Sequence, residues 1–349
     1  MTRTIDFRYV VTRGGADLCE IHPAQGGEPT IRMEKDAEIK MSLSGTFVPD
    51  GRVDWLTDRI RPELILDGVS HSLGLFLPAT VQQIEQNGVR TEQIEAFDQC
   101  WLVRDTREES PVVIASGTGY IAAIQQLLLA SGVALALATP NSASVTEIRT
   151  WDIGTDNLSI VNELLTEINY KPLWFNADGL AVLEPNAAPT ADNIQHTLDG
   201  SDVRSLLLPQ ISREADIYQA PNVFVVSVGN PDKGTNMTAT AVNDYVNSPL
   251  SVQRRGRRIV KFIKLNNIAS QAELQKYADL QVRESMYVGE TIEITTGLFP
   301  GYGVGDVVAL SMGDVFAICV EQSWEMRLQV GGDMRHTLER VVYQYGSSS

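Results

Sequence analysis

The 349-residue chain carries 44 acidic against 28 basic side chains, a formal charge of −16, and is 43% apolar with 21% charged residues. Such a balance belongs to an ordinary folded protein and excludes a disordered one, and the length predicts two or three domains instead of one core. The acidity favours solubility and disfavours non-specific contact with DNA phosphates or anionic lipid.

The N-terminal stretch MTRTIDFRYVVTRGG lacks the basic region, apolar stretch and small-residue cleavage site of a secretory signal, so the chain is expected to be made and first fold in a cytoplasm. Up to residue 108 the pattern is of strands. FRYVVTR, DLCEIHP and EIKMSLSGTFVP are short alternating or β-branched runs separated by GGA and AQGGEPT turns. Two longer stretches, 62–87 and 90–108, continue this at the spacing of a small barrel or sandwich. In the second, Ile94, Phe97 and Trp101 break strict alternation, which predicts a bulge near Asp98.

From Glu109 the character changes. In YIAAIQQLLLASGVALALA the apolar run is interrupted by Gln125, Gln126, Ser131 and Gly132, so it reads as a buried helix and a strand, too short for a membrane span. Ser116 or Thr118 is expected to cap that helix and Gly132 to end it. A second helix follows, capped by Thr155, Asp156 or Asn157, with Leu158, Val161, Leu164, Leu165 and Ile168 along one face. KPLWFNADGLAVLEP then predicts a hairpin turning at Asn-Ala-Asp-Gly.

Strands return after Ala220 in NVFVVSVGNP, NMTATAVNDY and GRRIVKFIKL. One helix interrupts them, IASQAELQKYADLQVRESM, with Ser270 and Glu273 spaced as a capping box. ETIEITTGLF, DVVALSM, VFAICVEQSWEMRL and MRHTLERVVYQY close the chain. In FPGYGVGDVVAL, Gly301, Gly303 and Gly305 are expected to permit positive φ in a turn. The organisation is α+β, mainly β: residues 1–108, 109–215 and 216–349 as β, α/β and β units, the last with an inserted helix.

No catalytic constellation emerges. His22, His71, His196 and His336 lack HxH or HExxH spacing, and Cys19, Cys100 and Cys319 form no CxxC pair, so neither a metal site nor a disulfide framework is expected and the thiols read as buried and free. SGTGYIAA lacks the third glycine of a dinucleotide site, and neither GxxxxGK[ST] nor GxSxG occurs. Glu147, Asp152 and Asp156 flank Trp151, an arrangement that could serve glycan cleavage but that reads better as caps and solvated charges. No cofactor is called for.

Several stretches taken in order resemble the tail-hub (baseplate hub) proteins of phages and related contractile injection machines. GYIAAIQQLLLASGV followed by TWDIGTDNLSIVNELLTEINYKPLWFNADGLAVLEP is similar to that family's helix, Trp-x-x-Gly, helix and hairpin order. NVFVVSVGNP with NDYVNSPLSVQRRGRRI, and AELQKYADLQVRESM with PGYGVGDVVAL, resemble its later segments. The resemblance spans Phe7 to Tyr345. It implies a tail-tube-like β-barrel at each end with the α/β unit between. It implies a homotrimeric ring that joins a sixfold tail tube to a threefold tip, with a channel for DNA. Distal tail or tube proteins and a spike or fibre would be its partners, with no stable membrane insertion. Such a protein would be assembled in the host cytoplasm and reside in the virion. With no long extension before Ser349, any piercing tip or peptidoglycan enzyme is expected on a separate chain.

Two other readings remain at this stage. One is a cell-envelope glycan hydrolase; the other is a carbohydrate-binding β protein using Trp55, Trp101 or Trp174, though these tryptophans read better as core. The remaining feature is basic: from Tyr245 to Ala272 there is no Asp or Glu, and Arg254, Arg255, Arg257 and Arg258 surround Gly256. In an acidic chain this reads as a subunit or partner interface held by arginine–carboxylate pairs, ahead of a solvated loop or a DNA contact.

Overall fold

A computed structural model describes residues 3–187, 189–202, 205–215, 220–230, 235–285 and 290–341. The chain opens with strands β1 (Ile5–Arg13), β2 (Ala16–Ile21), β3 (Thr30–Glu34), β4 (Met41–Phe47), β5 (Arg59–Leu66), β6 (Val69–Ser72), β7 (Leu77–Gln86) and β8 (Val89–Phe97). Helix α1 (Cys100–Asp105), β9 (Val112–Ile114), α2 (Tyr120–Ala130), β10 (Ala136–Ala138), β11 (Arg149–Trp151), α3 (Asn157–Glu167), β12 (Trp174–Phe175) and β13 (Ala181–Leu183) form the middle. Next come β14 (His196–Asp199), β15 (Leu207–Ala215), β16 (Val223–Asn230), β17 (Thr235–Val242), the single turn α4 (Val252–Arg255), β18 (Val260–Leu265) and α5 (Gln271–Ser285). The last strands are β19 (Glu290–Gly297), β20 (Val307–Met312), β21 (Val315–Arg327) and β22 (Asp333–Val341). The fold class is α+β, mainly β, as expected.

The two ends of the chain share one sheet. Its path runs β15-β19-β22-β21-β3-β4-β8-β7, with β20 and β14 branching from β21. The join is the antiparallel pairing of β21 with β3, Ser323 opposite Glu34 and Arg327 opposite Thr30. Hydrogen bonding is therefore continuous across residues 108 and 215, since β15 pairs with β19 and β14 with β20. Smaller sheets, β2-β1-β5-β6 and β17-β16-β18, flank it.

Alternation decides what is inside. On β8, Glu92, Ile94 and Ala96 point inward and their neighbours outward. Glu92 is tolerated there because its carboxylate accepts the Trp55 Nε1 hydrogen at 2.9 Å. Tyr9, Ile31, Met33, Leu43 and Phe47 pack with Trp324, Met326 and Met334 from the far end of the chain. The α/β unit has its own core of α1, α2, α3 and the β12–β13 hairpin, on which Ile39 and Ala269 also pack. The predicted face of α3 is buried, and Asp156 caps it, accepting Ser159 N–H at 2.8 Å.

Several expectations are corrected. The strand predicted through residue 108 ends at Phe97. Asp98 Oδ1 accepts Cys100 N–H and Oδ2 accepts Met41 N–H, which starts α1 instead of a bulge and places Trp101 on a helix. The register shift lies on the partner strand, between Pro78 and Thr80. Neither Ser116 nor Thr118 caps α2. Gly119 is its N-cap, and the Tyr120 N–H is taken by the Ala143 carbonyl at 3.2 Å. The box at α5 is half formed: Ser270 accepts Glu273 N–H, but the Glu273 carboxylate receives Asn169 and Lys276. Gly301 and Gly305 have positive φ and Gly303 does not; a Cβ there would lie 2.9 Å from the Asp306 carboxylate, which accepts its N–H. Cys100 and Cys319 are buried and free, whereas Cys19 is half-buried.

Asp98 carries a measurable consequence. Burial raises its pKa from 3.8 to about 6. A carboxyl with a raised folded-state pKa stabilises fully below its unfolded value and loses that contribution as pH rises through the folded value. Between about pH 4 and pH 6 the group should therefore cost the fold on the order of 3 kcal/mol. Denaturant titrations of wild type and Asp98→Asn across pH 4–7 should show a free-energy difference that changes with pH in this window; a pH-independent difference would contradict it.

Candidate assembly surface

The basic stretch sits on the sheet β17-β16-β18. β16 pairs antiparallel with β17 and parallel with β18. Helix α5 covers one face, packing Leu274, Ala278 and Val282 against Phe224, Val226, Val228, Ala239 and Ala241. Residues of the opposite parity, Val225, Ser227, Thr240, Val260, Phe262 and Lys264, point away from the helix.

Two buried asparagines hold the loop that carries the arginines. Asn222 Nδ2 donates to the Leu250 and Arg257 carbonyls at 3.2 and 3.0 Å, and its Oδ1 accepts Ile259 N–H at 2.7 Å. Asn243 Nδ2 donates to Ser248 Oγ at 3.0 Å. Ser251 caps α4 by accepting Arg254 N–H, and Gly256 ends it at φ +64°, in the left-handed region that favours glycine. The sequence reading missed both asparagines. Their signal was available as a polar amide directly before one strand and directly after another, the positions where loop backbone needs an external partner.

This scaffold turns the arginines outward. Arg254, Arg257 and Arg258 are exposed, and half-buried Arg255 donates from Nη1 to the Ala220 carbonyl at 2.6 Å. Among the described residues Arg254 and Arg258 form no ion pair.

Chemical candidates are absorbed by the fold. Asp156 is spent as a cap, and Trp151 turns inward to donate from Nε1 to Glu163 at 2.7 Å, away from exposed Glu147 and Asp152. Arg149 binds Glu163 and Glu167, and Tyr120 Oη donates to Glu167 at 2.7 Å, which ties β11 to α2 and α3. His196 and His336, unrelated in sequence, flank Tyr302 with ring centroids 3.9 and 4.8 Å away. His336 lies 2.9 Å from Glu321 and 3.0 Å from Thr296 Oγ1, and His196 lies 2.9 Å from Asp306. The Thr296–His336–Glu321 chain has the order of a nucleophilic relay, but all three are buried beneath Tyr302, and burial raises the Glu321 pKa. It acts as a polar strut between β19, β21 and β22. His22 is exposed and His71 half-buried, apart from this cluster. Among the described residues no three His, Cys, Asp or Glu side chains gather as a metal site, and no helix is long and apolar enough to cross a membrane. Trp55, Trp101 and Trp174 are half-buried. Trp55 donates to Glu92, Trp101 stacks on Phe97 beneath Arg104, and Trp174 packs on the core.

This arrangement of sheets and α/β unit is the fold of phage tail proteins. A tail protein from Neisseria meningitidis MC58 superposes with a TM-score of 0.67 at 14% identity, over 95% of this chain and 96% of that one. The 43 kDa tail protein of prophage MuSo2 from Shewanella oneidensis follows with a TM-score of 0.65 at 11% identity, covering 95% and 98%. Prophage tail protein gp18 from Listeria monocytogenes EGD-e gives 0.59 at 11%, covering 98% and 95%. No family model and no curated protein sequence matches the chain.

Asn222→Ala should release the loop without unfolding the protein, because it strips the Ile259 N–H of its acceptor at a cost of roughly 1–3 kcal/mol. Limited trypsin digestion should then cut first between Arg254 and Arg258. Unchanged cleavage kinetics would show that Asn222 does not hold this segment.

Proposed function

We propose that the chain is a structural hub component of a phage tail or related injection machine. Three copies form a ring that joins the tail tube to the tip and surrounds the path of DNA. The observation that carries this reading is end-to-end agreement of fold with phage and prophage tail proteins, the Neisseria protein matching over 95% of this chain. The net charge of −16 supports it, since an acidic wall lets a polyanion slide instead of sticking. Residues 1–108 and 216–349 act as the tube-like units and 109–215 as the α/β unit. Tail-tube or distal tail proteins lie on one side and a spike or fibre on the other, with DNA only in transit. The role is structural and not enzymatic, and the protein resides in the virion after assembly in the host cytoplasm.

Arg254, Arg255, Arg257 and Arg258 are assigned to an interface. Arg254, Arg257 and Arg258 stand outward on a loop fixed by Asn222 and Asn243, with half-buried Arg255 beside them, in a stretch without acids. Guanidinium groups are suited to carboxylates of a neighbouring acidic subunit.

Purified protein should give a mass about three times that of one chain and rings by negative stain; a monomer at every concentration would sink the ring. Changing all four arginines to serine should weaken self-association at least about tenfold, the order expected from losing several partly desolvated charge pairs. DNA affinity should stay unchanged, as read by sedimentation and by DNA titration.

A further inference from the structure

Two exposed sheet faces, distant in sequence, carry apolar side chains beside charges of opposite sign. The first is the face of β17-β16-β18 turned away from α5, open along β18 although Val223 beside it is buried. Phe262 is 77% exposed and Val260 42%. Lys264 lies on the same face by register, and exposed Arg254 and Arg258 precede β18 in a stretch with no Asp or Glu between Tyr245 and Ala272.

The second is the two-stranded ribbon of β9 and β11 on the α/β unit. Its register places Val113 opposite Thr150. The inward positions, Ile114 and Trp151, are core, and Arg149 reaches Glu163 and Glu167. The outward positions continue the alternation: Val113 is 60% exposed and Ile148, just beyond β11, 64%. Ile153, after the ribbon, is 65% exposed. Exposed Asp152 continues the outward alternation of β11, exposed Glu109 precedes β9 in the chain, and Arg107 donates to the Gly154 carbonyl. The second face thus carries an acid where the first carries Lys264.

We propose that these are the two halves of one head-to-tail contact between copies of this chain. Phe262 and Val260 of one copy pack on Val113 and Ile148 of the next, and Arg254 and Arg258 meet Glu109 and Asp152 across the rim. The occupant of each face is a second copy because each supplies what the other lacks. Two basic faces, or two acidic ones, would repel, so a twofold contact of either face with itself is disfavoured. A contact between unlike faces is heterologous, and repeated with a closing rotation it generates a ring. Buried apolar area supplies most of the affinity, while the charges set encounter and register. The inference rests on the ring reading above and adds to it which surfaces meet.

The test uses the full chain and two variants altered only at exposed positions, Phe262→Asp and the double change Val113→Asp with Ile148→Asp. Circular dichroism and thermal melts check that both stay folded, and mass photometry reads assembly. The wild type should be a trimer and each variant alone a monomer. A 1:1 mixture of the two variants should form a heterodimer, because one intact joint remains between them. A wild-type trimer that either variant leaves intact overturns this contact and spares the ring. Loss of the trimer in both with no heterodimer on mixing overturns the pairing of the two faces. A wild-type monomer at all concentrations overturns the ring and this contact together.

Discussion

The structure depends on one antiparallel ladder, β3 against β21. It joins strands separated by nearly the whole chain, and the core on either side is built from both ends. Tyr9 Oη reinforces it by donating to the Leu328 carbonyl at 2.9 Å, and Leu328 N–H donates to the Pro29 carbonyl at 2.8 Å. Long-range strand pairing is costly in chain entropy. That cost is offset here by apolar burial, at roughly 1.5–3 kcal/mol for each large side chain such as Phe47, Met33 or Trp324. Units that look like separate β domains in sequence are held in one frame by this ladder.

Specific polar links attach the middle unit to that frame, alongside the packing of Trp174 and Ile39. Ser72 Oγ donates to the Ala177 carbonyl at 2.6 Å, and Gln99 donates to the Gly179 carbonyl, which pins the tip of the β12–β13 hairpin. Asn169 reaches α5 through Glu273. The histidine–tyrosine stack serves the same purpose inside the large sheet, where Tyr302 brings loop 298–306 onto β14 and β22. Buried polar groups of this kind stabilise only when partnered, so they select one docking of each element over shifted alternatives.

A rigid frame of this type can present charged loops without spending them on its own stability. Arg13–Asp58 joins β1 to the residue before β5 and Arg61–Asp17 reaches from β5 to β2 across β1, whereas the arginines at 254 and 258 face outward from a loop whose shape is set by asparagines. Exposed ion pairs are worth about 0–1 kcal/mol each. Their value to an assembly lies in orientation and partner choice more than in affinity.

Local chemistry was legible without any structure. The mainly β class, α3 with its Asp156 cap and its buried face, the Asn-Ala-Asp-Gly turn and the end of α2 at Gly132 all follow from periodicity and backbone preference, which act over a few residues. So does the exclusion of common catalytic motifs. Tertiary structure decided the rest. The Asp98 turn before α1 needs Met41, the start of α2 needs Ala143, and the role of Asn222 needs Leu250, Arg257 and Ile259, none of them near in sequence. The basic stretch shows the division most clearly. Composition alone marks it as unusual in an acidic chain, but only the pairing of β18 with β16 turns Phe262 and Lys264 to the same side, away from α5, because pairing and not propensity sets which face of a strand is covered.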